Sequence, residues 1–156
     1  MAVLDRIDRR ILALLQRDGR MTNAELASHA NLSPSACHRR VQLLRERGII
    51  KGFAVLVDGK AIGRSTNVLV EVTLKSQSEE TLDSFEKAVR SVPHVMECYL
   101  MAGDADYFLR IVAANAQDYE RIHRQYLSRL PGVARIRTSF ALRTIREEHT
   151  LRIDDY

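Results

Sequence analysis

Apolar residues along the first fifty positions recur at helical spacing, in three runs separated by turn signals. Ile7, Ile11, Leu14 and Leu15 form the first run. Asp5 precedes it as an N-cap, Asp8 follows three residues later near the positive helix end, and Gly19 stands where a C′ residue closes a helix. Thr22 and Glu25 make a T-x-x-E capping box that opens a second helix, with Leu26, Ala27 and Ala30 on its inner face. Asn31 is a residue that adopts the left-handed conformation with which such a helix ends. Ser33-Pro34 starts a third helix, serine as N-cap and proline at the first helical position, and Gly48 ends it. Only Asn31 and Leu32 separate the second helix from the third, and so tight a connection predicts a helix-turn-helix.

The period then changes. Residues 49–58, IIKGFAVLVD, form a β-rich run closed by Asp58-Gly59. No partner strand exists in the preceding helices, and an unpaired apolar strand is a liability. Pairing with a second copy of the chain is therefore expected here. Beyond it, Val68, Val70, Val72 and Leu74 alternate as in a strand over 67–75. Leu82, Phe85, Val89 and Val92 follow at helical spacing over 79–91 before Pro93. Two strands, 95–102 and 106–113, flank Gly103-Asp104-Ala105. A helix over 117–129 aligns Tyr119, Ile122, Tyr126 and Leu130, Pro131-Gly132 stops it, and a long last strand is expected over 133–145. The order βαββαβ is the ferredoxin-like plan, so the chain reads as α+β, with domains at 1–50 and 65–156 and a linker strand and hinge at 51–64. An antiparallel sheet with both helices on one side leaves its other face for a second sheet or a ligand.

Charge sharpens the first module. Residues 1–60 hold 11 Lys/Arg against 6 Asp/Glu, while residues 61–156 hold 13 against 14, so the net +4 of the 156-residue chain belongs to the head. A basic head on a neutral body points to a polyanion partner. On a helical wheel Cys37, Val41 and Leu44 share the inner face of the third helix, while Ser35, Arg39, Gln42 and Glu46 point outward and His38 and Arg40 lie on the flanks. Arg39 has the planar fork that pairs with guanine O6 and N7, Ser35 and His38 reach bases or phosphates, and Arg40 suits phosphate. A plain three-helix unit with a solvated basic face is the alternative.

Other chemistry is sparse. The histidines, at 29, 38, 94, 123 and 149, are scattered, and no catalytic pair, metal constellation or phosphate loop is present in the sequence, so neither an enzyme nor a cofactor is expected. Cys37 and Cys98 read as buried apolar filler rather than a disulfide framework. No apolar run approaches the ~18 residues of a membrane span. The N-terminus carries no signal-peptide core, which places the protein in the cytoplasm.

The stretches LDRIDRRIL, DGRMTNAELA, NLSPSACHRRVQLLRERGIIKGF, GDADYFLR and LPGVARIRT, in this order, resemble the Lrp/AsnC (feast/famine) family of transcriptional regulators over nearly the whole length. The resemblance implies a winged helix-turn-helix in front of an αβ-sandwich domain that senses an amino-acid effector, and homodimers that assemble further, often to octamers. It places the helix-turn-helix at Asn23–Gln42, with double-stranded DNA contacted by Ser33, Ser35, Ala36, His38, Arg39 and Arg40. It places effector contacts at Gly103, Asp104, Asp106 and Tyr107, with a second patch at Thr138 and Ser139. In that setting Gly103 admits backbone N–H groups to a carboxylate, Asp104 or Asp106 pairs with an α-ammonium, and Tyr107 covers an apolar side chain. A simple hairpin turn is the other reading of Gly-Asp-Ala-Asp. For the whole chain two functions compete. One is a sequence-specific regulator of amino-acid metabolism. The other is a nucleoid-type architectural protein that binds phosphates with little sequence preference.

Overall fold

The computed structural model describes residues 4–153, which fall into two compact units. One comprises the head up to Leu56 together with the segment from Arg146, and the other spans Val57–Ile145. The division places the end of the chain with the head rather than with the second domain. The tie is Gln16 in the first helix, whose Nε2 donates to Leu151 O (2.9 Å) and whose Oε1 accepts from Leu151 N–H (2.7 Å). Ile153 packs on the same apolar cluster.

The head is three helices, α1 (Arg6–Arg17), α2 (Asn23–Ala30) and α3 (Pro34–Glu46). Each begins with the cap expected of it. Asp5 accepts from Asp8 N–H, Ser33 accepts from Ala36 N–H, and Thr22 and Glu25 form the reciprocal capping box. Asn31 is left-handed (φ 56°), which turns the chain between α2 and α3 within three residues. Ile11, Leu12, Leu26, Ala27, Ala30, Cys37 and Leu44 are buried between the helices. Gly48 ends α3 at φ +69°. Gly19 does not act as a left-handed cap. The chain leaves α1 through extended Asp18, and Gly19 lies against the Phe53 ring, 3.4 Å from where its Cβ would stand.

The run after α3 forms no strand within the chain. Residues 51–58 carry no regular secondary structure and pair with no strand, with Val55 86% and Leu56 70% exposed. Among the described residues the head therefore has no strand of its own.

The second unit is one four-stranded antiparallel sheet of order β2-β3-β1-β4, from β1 (Thr66–Leu74), β2 (Val95–Leu100), β3 (Tyr107–Ala113) and β4 (Val133–Phe140). Helices α4 (Glu79–Val89) and α5 (Ala116–Gln125) complete the βαββαβ order. The last turn of the predicted fifth helix tightens to a 3-10 turn, Leu127–Arg129. Val68, Val70, Val72 and Leu74 of β1 and Tyr107, Leu109, Ile111 and Ala113 of β3 point to one side and are buried there with Phe85, Val89, Tyr119, Ile122 and Leu127. Alternation in the sequence is thus one-sided burial in the sheet. The final strand stops at Phe140, short of the expected 145. Ala141 N–H donates to Asn67 O, and β1 supplies no partner beyond that point. Cys37 is buried, but Cys98, expected as core filler, is exposed on edge strand β2. No described helix is long and apolar enough to cross a membrane.

Gly132 links this sheet to α4. Its φ is +73°, and a Cβ there would lie 2.7 Å from Thr81 Cγ2. Gly132→Ala should destabilise the second unit by roughly 1–3 kcal/mol in urea unfolding, from left-handed strain plus the clash. Gly48→Ala, whose Cβ meets nothing within 4 Å, should show only the backbone component, about 1 kcal/mol.

Candidate nucleic-acid interface and effector loop

The DNA-facing candidates lie on the N-terminal half of α3. Ser35, Ala36, His38 and Arg39 are exposed. Ser33 Oγ is occupied as the helix cap, 3.3 Å from Ala36 N, with Ser35 Oγ 3.2 Å away. Asn23 Nδ2 donates to Pro34 O (2.8 Å), fixing the start of α3 to the start of α2. Arg39 makes no ion pair among the described residues, so its guanidinium is available to a ligand.

Arg40 behaves differently from the expectation of a phosphate contact. Its Nη1 donates to Asp5 Oδ2 (2.6 Å) and Asp8 Oδ1 (2.7 Å), tying α3 to the start of α1. The Asp8 N–H bond and the Arg40 guanidinium hold the Asp5 carboxyl below its ordinary range, and the two carboxylates raise Arg40. The partners stand 35 and 32 residues away, which a wheel drawn for α3 alone does not show. Leu43, 41% exposed, borders a groove that Asp5, Asp8 and Arg40 also line.

In the second unit the Gly-Asp-Ala-Asp loop joins β2 to β3. Gly103 has φ +149°, a conformation side chains disfavour, with open space around it. Asp104 is exposed. Asp106 and Tyr107 are not. Asp106 is 5% exposed and accepts from Leu74 N–H (2.7 Å) and from Gln77 Nε2 (2.6 Å), while its own N–H donates to Val72 O. Both its oxygens are thus satisfied within the chain, and it latches the loop to the end of β1 instead of offering a free carboxylate. Tyr107 is 1% exposed, stacks on Phe85 (4.4 Å between centroids) and donates to Glu86 Oε1 (3.0 Å). It belongs to the core beneath α4 instead of covering an effector. Burial and the Glu86 bond push its phenol well above the usual range.

Thr138 and Ser139 do not form one patch. Neighbours on a strand face opposite sides, and Thr138 Oγ1 lies 2.6 Å from Tyr119 Oη on the helix side, while exposed Ser139, paired with Leu69, faces away. Along β1, Leu69 is three residues from Val72, about 10 Å, so one chain does not bring Ser139 to the loop. Gln77 and Glu86 were not singled out from sequence. Their partners are remote, but the alternation Tyr107, Leu109, Ile111, Ala113 already carried the signal that Tyr107 points inward.

Residues 67–151 match the family model described as the Lrp/AsnC ligand binding domain, and residues 4–51 match a winged helix-turn-helix DNA-binding model. The chain belongs to the Lrp/AsnC family. It is 37% identical over 148 residues to the leucine-responsive regulatory protein of Escherichia coli K12, covering 95% of this chain and 90% of that one. An uncharacterized HTH-type transcriptional regulator of Sinorhizobium fredii is 49% identical over 114 residues, 73% of this chain and 90% of its own. Among solved structures, a transcriptional regulator from Neisseria meningitidis in complex with L-Met superposes with a TM-score of 0.88 at 29% identity, covering 97% of each chain. Members of this family are transcriptional regulators and not enzymes. This Lrp/AsnC chain is accordingly a DNA-binding regulator with a helix-turn-helix head and a ligand-binding domain.

The two loop carboxylates should separate by stability. Asp106→Ala strands the Leu74 N–H and the Gln77 amide and should cost about 1–3 kcal/mol in urea unfolding. Asp104→Ala should stay within about 0.5 kcal/mol, as for an exposed polar residue.

Proposed function

We propose that the protein is a sequence-specific regulator of amino-acid metabolism that reads a pseudo-palindromic site as a dimer and answers to an amino-acid effector. The observation that carries the DNA reading is Arg39, unpaired and exposed on the outer side of a helix capped at Ser33 and pinned to α2. In this reading Arg39 takes a guanine edge, Ser35 and His38 reach neighbouring bases or phosphates, and Ser33 and Ala36 present the helix start to a phosphate. Arg40 leaves the contact set because α1 holds it.

The exposed apolar run Phe53–Val57 supports pairing with a second copy, which would set two recognition helices about one DNA turn (~34 Å) apart. Further assembly, to an octamer, and action in the cytoplasm follow the family resemblance. The effector reading rests on the Gly103–Asp104 loop. Open backbone there meets a carboxylate, and Asp104 meets an ammonium. Asp106 shapes the loop, and Ser139 joins only where a second copy presents it. The relative solved with L-Met supports an amino acid as ligand. Architectural binding is the second reading, favoured only by the basic excess of the head.

Arg39→Ala should weaken binding to a selected operator by roughly 1–3 kcal/mol, read by fluorescence anisotropy, with much less effect on random duplex. Equal wild-type affinity for operator and random DNA at every salt concentration would sink the sequence-specific reading in favour of the architectural one. In a thermal-shift panel of the twenty amino acids at least one should raise the melting temperature, and Asp104→Ala should abolish that shift while leaving operator affinity unchanged. A flat panel would overturn the amino-acid assignment.

A further inference from the structure

The three helices of the head are tied pairwise by side chains. Arg10 Nε donates to His29 O (2.7 Å) between α1 and α2, Asn23 Nδ2 donates to Pro34 O (2.8 Å) between α2 and α3, and Arg40 bridges α3 to α1. The first two ties end on backbone oxygens. The third joins charge to charge, and it starts from the helix that carries the DNA-facing residues. A single nitrogen, Nη1 with its two hydrogens, serves both carboxylates. Asp5 Oδ1 meanwhile accepts from Asp8 N–H (2.7 Å), so the bridge closes on the cap of α1 itself. Asp8 is only 8% exposed while Asp5 is open to solvent, and without the guanidinium the buried Asp8 carboxylate would lose its charge partner.

Adjacent helical residues point about 100° apart. Fixing the azimuth of Arg40 therefore fixes that of Arg39. Arg39 and Arg40 differ by one position in sequence, yet one is unpaired and the other is held by two acids.

We infer that Asp5 and Asp8 are specificity-determining positioning residues, which hold Arg40 against α1, keep its charge off phosphate and thereby aim Arg39 at base edges. The inference rests on the reading that the outer face of α3 meets DNA. It makes the acids of α1, which touch no base, contributors to the ratio of operator to random affinity.

The test uses the full-length chain with Arg40→Gln, Asp8→Asn and the double variant. Affinities for a duplex selected from a random pool and for unselected duplex are measured by anisotropy over about 50–300 mM salt, a range in which phosphate contacts are resolved. Arg40→Gln should lower operator affinity about tenfold while leaving the slope of log affinity against log salt at its wild-type value. A slope shallower by ~0.9 per protomer is the signature of a lost phosphate contact and overturns the inference. Asp8→Asn removes one of the two charges that hold Arg40 and should therefore raise random-duplex affinity with a steeper slope and narrow the operator-to-random ratio. An unchanged ratio also overturns it. Should Arg40→Gln fail to fold, the Asp8→Asn measurements decide alone. The bridge is read apart from DNA by thermal unfolding, where the two substitutions should be non-additive, and additivity would refute it. Wild-type protein with no operator preference would instead discredit the sequence-specific reading on which the inference rests and leave the bridge itself standing.

Discussion

Strand β1 is hydrogen-bonded on both sides and buried on one face only, and the rest of the ligand-binding domain takes its position from that condition. Its even-numbered residues from Val68 to Leu74 go under the helices, while Asn67, Leu69, Glu71 and Thr73 remain partly accessible. A slip of one residue would bring Glu71 into the core, so the pairing with β3 and β4 has one acceptable register. That register leaves Val72 O and Leu74 N–H where Asp106 takes both. The shape of the loop between β2 and β3 is therefore inherited from the central strand. The open face of the same sheet carries Arg110 between Glu97 and Asn67, and Arg137 beside Glu71. It is a polar surface with apolar members, and not an extension of the core.

The head is organised differently. It buries few large side chains, and its alanines let α2 approach closely. Caps, one left-handed asparagine and three side-chain ties do much of the positioning that a larger core would do elsewhere. Such a unit separates its arginines by use. Some are ties inside the head, and others are free for a ligand. Net charge counts both kinds alike and so overstates the surface offered to DNA.

What could be read from sequence was local. The Thr22–Glu25 box, Asn31, Ser33-Pro34 and the alternation of β1 each act within a few residues, and each is found as expected. Arg40, Gly19, Asp106 and the end of the last strand depend on distant partners, whereas the inward side of Tyr107 and the separation of Thr138 from Ser139 follow from strand alternation alone. The last strand ends at Phe140 because β1 begins at Thr66, not because residues 141–145 lack β character. Arg40 answers to Asp5 and Asp8. Gly19 answers to Phe53. Asp106, expected with Asp104 as a carboxylate for an α-ammonium, is buried where it satisfies the Leu74 N–H. Of the candidate effector residues, only Gly103 and Asp104 lie open on the loop, with Ser139 exposed elsewhere on the sheet.

The pairing of Gln16 with the Leu151 backbone spans 135 residues. At ribosomal rates of about 5–20 residues per second, α1 waits on the order of ten seconds for that partner to be synthesised. The helix-turn-helix thus emerges before the sheet that follows it and gains this contact only after that sheet has been made. During that interval the nascent head holds its basic surface and lacks its final contact, in a cell where nucleic acid is close at hand.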